Sequence, residues 1–482
     1  MNKEEKKKGD SRKSMPTPIR PLPVTFISAI MMKVALAVFV IYCAFTLVHC
    51  YSPTSREYSN TIPISRRSLR NRRALAGDFD VEIARDEQQA VYQKYLSLAP
   101  SILNGILPAP ENDMEEFVQS KYVNDVAPGT ADVMEQVVGP VDVPEVLLTT
   151  GMTDVIVNEV DMLYYGDLSI GTPGQGLTFD IDTGSADLWV PSSWCSTCTK
   201  NHYDESQSST YVDKDRRFAV SYGSGSVSGT TASDTVTIAG TSIHNQTFGV
   251  IYRASQDFEE YPNDGILGMA FGTIAQSRGL TVFETMMKQG KLKWPCFSVH
   301  LARNQETGSE LCWGCYDPTK ATGPISWFPV SHRAYWSIQM SGFEVAGERI
   351  ALDEMLISAI DTGTTFLYLP ASVAAELYAQ ILGSKDASAT YGSGFYTYPC
   401  ISKLDIGLVF GDMTFRLHPD DLNLGMSMYN PAECLGSIFA MDDSDQWPSN
   451  LAIIDVFLKS WYSVYDYSNG GRIGFASSVN NR

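Results

Sequence analysis

Two short strings carry the chemistry of this chain, Asp182-Thr-Gly-Ser185 and Asp361-Thr-Gly-Thr364. At average composition a bare Asp-Thr-Gly arises by chance roughly 0.1 times in a chain of this size, so two copies argue against accident. The first follows Phe179-Asp-Ile and the second Ile357-Ser-Ala-Ile, apolar runs that read as strands delivering each Asp at their ends. Two carboxyl groups brought close together cannot both ionise, so they share one proton. The charged member can take a proton from water while the neutral member gives one to the departing nitrogen. Such a pair hydrolyses an amide without metal or covalent nucleophile. Thr183 and Thr362 carry hydroxyls suited to tying the two loops together, and Gly184 and Gly363 allow tight turns with N–H groups facing the carboxylates. Ser185 and Thr364 can each donate to the outer oxygen of their own Asp. Taken singly, each string also reads as an Asx turn at a strand end, so the pairing carries the argument.

The elements around the two strings repeat as well. Asp264-Gly-Ile-Leu-Gly268 follows the first copy and Leu451-Ala-Ile-Ile-Asp455 the second, at offsets of about 86 and 94 residues, which predicts two lobes of common design. Alternation predicts strands at Tyr164–Ile170, Leu177–Ile181, Phe218–Tyr222, Cys296–Leu301 and Trp461–Tyr465. Helices are expected at Thr281–Lys288 and Ser372–Leu382. The body from about Asp154 is therefore expected to be mainly β.

With these strings in view the chain from about Tyr164 to Ala476 resembles the pepsin, cathepsin D and plasmepsin family of aspartic proteases. The resemblance rests on Tyr164-Tyr-Gly-Asp-Leu-Ser-Ile-Gly-Thr-Pro173, Asp182-Thr-Gly-Ser-Ala-Asp-Leu-Trp-Val-Pro191, Ser221-Tyr-Gly-Ser-Gly225 and Asp455-Val-Phe-Leu-Lys-Ser-Trp-Tyr-Ser-Val-Tyr-Asp466. It implies a bilobal β fold with a central cleft, a bound peptide in extended form, and cleavage between apolar side chains. It also implies that Tyr222, Gly223 and Ser224 lie on a flap closing over substrate, with Trp189 behind Tyr222. Cys195 and Cys198 fall on the family's small disulfide loop, shorter here, and Cys400 and Cys434 on its later one. One of Cys312 and Cys315 is expected to pair with Cys296. The chain departs from the family at Ile454, where a glycine normally lies beneath the second catalytic loop; a bulky side chain there is expected to push that loop out of register. Asp187 stands where Asn is common and is expected to alter the pH profile. The region ahead of the body lacks an obvious match to the pepsinogen type, in which a basic residue neutralises the Asp pair. That region and the N-terminus look more like the protozoan plasmepsin-related members.

The 482 residues carry a net charge of −19 with 44% apolar side chains, a globular composition whose acidity argues against nucleic-acid binding. Val24–Val48 is almost wholly apolar behind Lys6-Lys-Lys8, Arg12, Lys13 and Arg20, and reads equally as a signal anchor or, from Lys33, as a cleavable signal peptide. Either sends the body into the secretory lumen, in a vacuolar, lysosome-like or extracellular setting. Residues 1–50 are thus a targeting segment, 51–155 a prosegment, 156–330 an N-terminal lobe and 331–482 a C-terminal lobe. Val81–Leu98 has apolar residues near helical spacing, and the stretch up to Thr150 offers no candidate chemistry. The Cys195/Cys198 and Cys312/Cys315 pairs stand too far apart for a zinc ribbon, so disulfides are expected. The six histidines form no metal spacing, and Gly223–Gly229 lacks the Lys-Ser/Thr of a phosphate loop. Neither metal nor cofactor is expected. Asn245-Gln-Thr247 is a glycosylation sequon. The expected protein is a monomeric zymogen of an aspartic endopeptidase acting on proteins, its own prosegment the inhibitor; the alternative is a catalytically impaired peptide-binding protein on the same fold.

Overall fold

A computed structural model describes residues 81–96, 114–124 and 147–481, apart from 223–224, 260 and 442–446. The apolar segment 24–48 lies outside them, as do the flap residues Gly223 and Ser224. Among the described residues no helix is long and apolar enough to cross a membrane.

Strands dominate, and their pairing repeats. Gln175–Asp182 runs parallel to Gly265–Gly268, which pairs antiparallel with Leu188–Pro191, itself parallel to Thr241–Ala254. In the second half Glu348–Ile360 runs parallel to Leu451–Ile454, which pairs antiparallel with Leu367–Pro370, itself parallel to Ile438–Met441. Each unit presses the strand leading to an Asp against a strand lying far ahead in sequence. The first unit belongs to a sheet of 13 described strands, the second to one of seven. The larger sheet crosses between the halves: Trp461–Asp466 pairs with Cys296–His300, and Thr149–Val157 sits between Ser309–Trp313 and Val160–Ile170.

Apolar alternation explains the register. In Gln175–Asp182 the side chains of Leu177, Phe179 and Ile181 enter the main core, so Asp180 and Asp182 leave the strand on the other face. The expected helices form at Val282–Lys288 and Ala371–Ala379. Thr281 caps the first through a capping box with Glu284, satisfying two N-terminal donors.

Ahead of the body, Val81–Leu96 is a helix whose Ala84, Val91 and Tyr95 are buried along one face. They share a cluster with Tyr335, Phe366, Tyr368, Phe439 and Ile453 of the second lobe. Tyr92 stacks on Trp447 at 5.9 Å and Tyr95 packs on Tyr335 at 4.7 Å between ring centres. The Gln88 amide donates to Ala440 O at 2.8 Å, and Arg85 Nε to Tyr391 O. A second piece, Met114–Asn124, buries Met114 and Val118 in the main core. Its Lys121 donates to Met287 O at 3.0 Å, at the C-terminus of the Val282–Lys288 helix, where a cation complements the helix dipole.

Among the described residues three disulfides join Cys195 to Cys198, Cys312 to Cys315 and Cys400 to Cys434. The expected bond from Cys296 to Cys312 or Cys315 does not form, and Cys296 is a buried free thiol. The register explains it. Ser298 stands opposite Cys312, while Cys296 accepts a backbone bond from Gly314 in the turn between the two cysteines.

Candidate active site

The ends of the two repeated strands meet at the bottom of a cleft. Thr183 N donates to Thr362 Oγ1 at 3.1 Å and Thr362 N to Thr183 Oγ1 at 3.0 Å. Each hydroxyl then reaches the strand beneath the other loop, Thr183 Oγ1 to Ile360 O at 2.9 Å and Thr362 Oγ1 to Ile181 O at 2.6 Å. These four crossed bonds fix the loops against each other. Gly184 N donates to Asp182 Oδ1 at 2.8 Å and Gly363 N to Asp361 Oδ1 at 2.9 Å. The glycines are also required by space. A Cβ on Gly184 would overlap the Asp361 carboxylate, and one on Gly363 the Asp182 carboxylate.

Lys94, from the last turn of the Val81–Leu96 helix, lies between the carboxylates. Its Nζ donates to Asp182 Oδ1 and to Asp361 Oδ2, both at 2.8 Å, and the Tyr95 hydroxyl donates to Asp361 Oδ2 at 2.7 Å. The lysine side chain is 10% exposed and the carboxylates 3% and 0%, so solvent and salt screen this bridge little. Burial pushes Asp182 up, but Lys94 outweighs it and holds the carboxyl below its usual range. Burial pushes Asp361 up to about 6, against the pull of Lys94 and with the help of the Asp182 charge. Burial works against the charge on Lys94, yet the two carboxylates raise its pKa above the ordinary value. Glu87, two turns earlier on the same face of the helix, is pushed up to about 7 by burial, partly offset by Lys94 and by a hydrogen bond to Thr365.

The sequence did not single out Lys94. An isolated lysine in an amphipathic helix reads as a solvated side chain, and only its position next to the buried Tyr95 hinted at more. Ser185 lies within reach of the Asp182 carboxyl and helps to hold it down. Thr364 does not serve its own carboxylate in the same way: its Oγ1 donates to the backbone oxygen of Asp361 at 3.2 Å, and the Asp361 carboxylate is served by Lys94 and Tyr95.

Tyr222 ends the strand Val212–Tyr222 and pairs with Gly225 across a hairpin tip. Its hydroxyl accepts from Trp189 Nε1 at 2.9 Å, and both rings pack on Phe258. Asp187 touches neither catalytic carboxylate. It accepts from Gln276 N at 2.7 Å and Ser277 N at 2.9 Å, and so fastens a loop beneath the first lobe.

Ile454 does not displace the second loop. In the first lobe Asp182 stands opposite Gly268 and Ile181 opposite Leu267; in the second, Ile360 stands opposite Ile454. Counted from each Asp, Ile454 therefore matches Leu267, an ordinary core position, and Asp455 takes the place of Gly268. The same match appears in Gly268 N donating to Asp187 O and Asp455 N to Phe366 O, each five residues beyond its Asp. The Asp361 loop keeps its crossed bonds.

Between the helix and the flap hairpin a cavity of about 50 Å³ remains, room for one or two waters. The helix therefore fills the cleft that a peptide would need.

Comparison with known proteins bears on the whole body. Residues 163–478 match the family described as "Eukaryotic aspartyl protease". An "Aspartic protease" from Phaffia rhodozyma is 39% identical over 325 residues, covering 66% of this chain and 77% of that one. "Cathepsin E" from Mus musculus is 34% identical over 341 residues, 68% and 84% of the two chains. "Embryonic pepsinogen" from Gallus gallus is 34% identical over 343 residues, 70% and 85%. These relatives are fungal and vertebrate, so lineage stays at the level of the family.

Proposed function

Because the chain belongs to the eukaryotic aspartyl protease family and is an aspartic endopeptidase, we propose that Asp182 and Asp361 are its catalytic pair and that Lys94 holds them latent. The bridge from Lys94 to both carboxylates carries the proposal, since an ammonium there occupies the position of the attacking water. With the helix withdrawn, one water takes its place. The two carboxyls then share one proton: the charged member removes a proton as the water oxygen bonds to the peptide carbon, and the neutral member supplies its proton to the nitrogen as the C–N bond breaks. The Tyr222 hairpin closes over an extended peptide.

The segment before the body is a prosegment on this proposal, and Thr149–Val157, bonded on both edges, supports a maturation cut ahead of Thr149. Three disulfides and the apolar segment 24–48 support a lumenal or secreted setting. Whether that segment stays as a membrane anchor is decided by fractionation of the expressed full chain.

The test is pepstatin-sensitive cleavage of a protein substrate by the full chain after acidification. Asp182→Ala is expected to lose roughly 10³-fold or more of the rate. Cleavage that survives both pepstatin and this substitution overturns the assignment of the pair. Failure of the folded, acid-treated wild-type chain to cleave favours the peptide-binding alternative.

A further inference from the structure

Asp180 is a carboxylate that neither the fold nor the mechanism above uses. It stands two residues before Asp182 and leaves the strand on the same face, opposite the core residues Phe179 and Ile181. The side chain is buried, and its Oδ1 has no hydrogen-bond partner among the described residues. It lines the cleft cavity with Asp182, Tyr222, Phe258 and Ile266. The residue at the same place in the second lobe, two before Asp361, is Ala359. The repeated frame therefore asks for no acid here, and an unpaired buried carboxylate is destabilising. Burial holds this carboxyl well above its usual range, with the Asp182 charge adding to the effect and Lys94 opposing it.

Alternate residues of a strand lie about 7 Å apart, close to the reach of a lysine stem from a backbone held at Asp182. The rings of Tyr222 and Phe258, with centres 5.8 Å apart, line the same cavity and suit both a methylene stem and a cation. We propose that Asp180 makes this enzyme accept a lysine or arginine side chain immediately beside the scissile bond, the cation pairing with the Asp180 carboxylate. This rests on the endopeptidase assignment above. The arriving cation restores the charged form of Asp180, as Lys94 does for Asp182 in the latent form.

The experiment uses the acid-matured full chain and two pairs of peptides. Within each pair the residue on one side of the bond is either Lys or Leu. For one pair, the wild-type ratio of kcat/KM for Lys over Leu is expected to fall at least tenfold in Asp180→Asn. An unchanged ratio in both pairs overturns the proposal. An equal loss on Lys and Leu peptides also overturns it, because Asp180 would then act only on Asp182. Should Asp180→Asn fail to fold, wild-type cleavage of a random peptide mixture still decides. Lys and Arg enriched at one position beside the bond support the proposal, and their absence from both positions overturns it. Pepstatin-sensitive cleavage of the Leu peptides separates the two levels: without it the endopeptidase assignment itself fails, and with it only the specificity is in question.

Discussion

A lysine bridging two carboxylates is gripped only while at least one of them is charged. Docking holds Asp182 below its usual range, so the grip is complete above the ordinary carboxylate range and is lost as pH falls through the docked value. Glu87 acts with the opposite sign. Pushed up to about 7 in the docked helix, it favours docking at acid pH and withdraws that support as pH rises through neutrality. Lys94→Met is therefore expected to raise cleavage by the full chain at neutral pH by about 10- to 100-fold, the equivalent of one charge-assisted bond; a fluorogenic peptide assay before any acid step reads it. Glu87→Gln should leave release at acid pH in place and weaken its dependence on pH near 7. Gly184→Ala would drive a methyl group into the Asp361 carboxylate. Its expected result is a folded chain with cleavage reduced at least about 10²-fold, measured as kcat on a matured sample.

Elements show where the sequence spoke and where it could not. The two Asp-Thr-Gly strings, the strands carrying them and the crossing of Thr183 with Thr362 follow from local pattern and chemistry. Register does not. Ile454 sits where motif counting puts a glycine, yet its strand pairs one step along, with Ile360, because pairing follows the fit of apolar side chains across 94 residues of intervening chain. Lys94 was hidden for a related reason: its partners are 88 and 267 residues away, and nothing near it announces a salt bridge. The Cys296 thiol was misassigned because spacing tells which cysteines can be close, not which strand position each will face. The Cys400–Cys434 link is the disulfide with mechanical reach, closing 34 residues around the small sheet that holds Tyr396–Pro399 and Glu433–Gly436. Replacing both cysteines by Ser is expected to cost about 3–4 kcal/mol by loop entropy, readable in the denaturant midpoint of the full chain. The two three-residue links should cost less.

Across the whole molecule, buried acids set the pH range in which the fold holds. Asp154 on the Thr149–Val157 strand is buried and faces Asp161, Lys459 and Asp455, with Asp161 close enough to share a hydrogen bond with the protonated carboxyl. Burial, then Asp161, push it up to about 9. A carboxyl raised on folding lends stability that is complete below its unfolded value near 4 and drains away as pH climbs toward 9. The melting temperature of the full chain should accordingly fall from pH 4 to pH 8, and Asp154→Asn should flatten that slope; a slope unchanged in the variant would assign the effect to other acids.

Each Asp strand is closed by a parallel partner 86 or 94 residues ahead, an arrangement with high contact order and slow assembly. The segments 81–96 and 114–124 each hold part of that assembly from outside, one against the second lobe and one against the main core. The proposed maturation cut would discard both. The cut enzyme would then be a structure without its own jig, expected to last while it stays folded and not to return once melted. Refolding yield from urea should be substantial for the full chain and close to nil for the matured one, so its working life is set by an unfolding rate and not by an equilibrium.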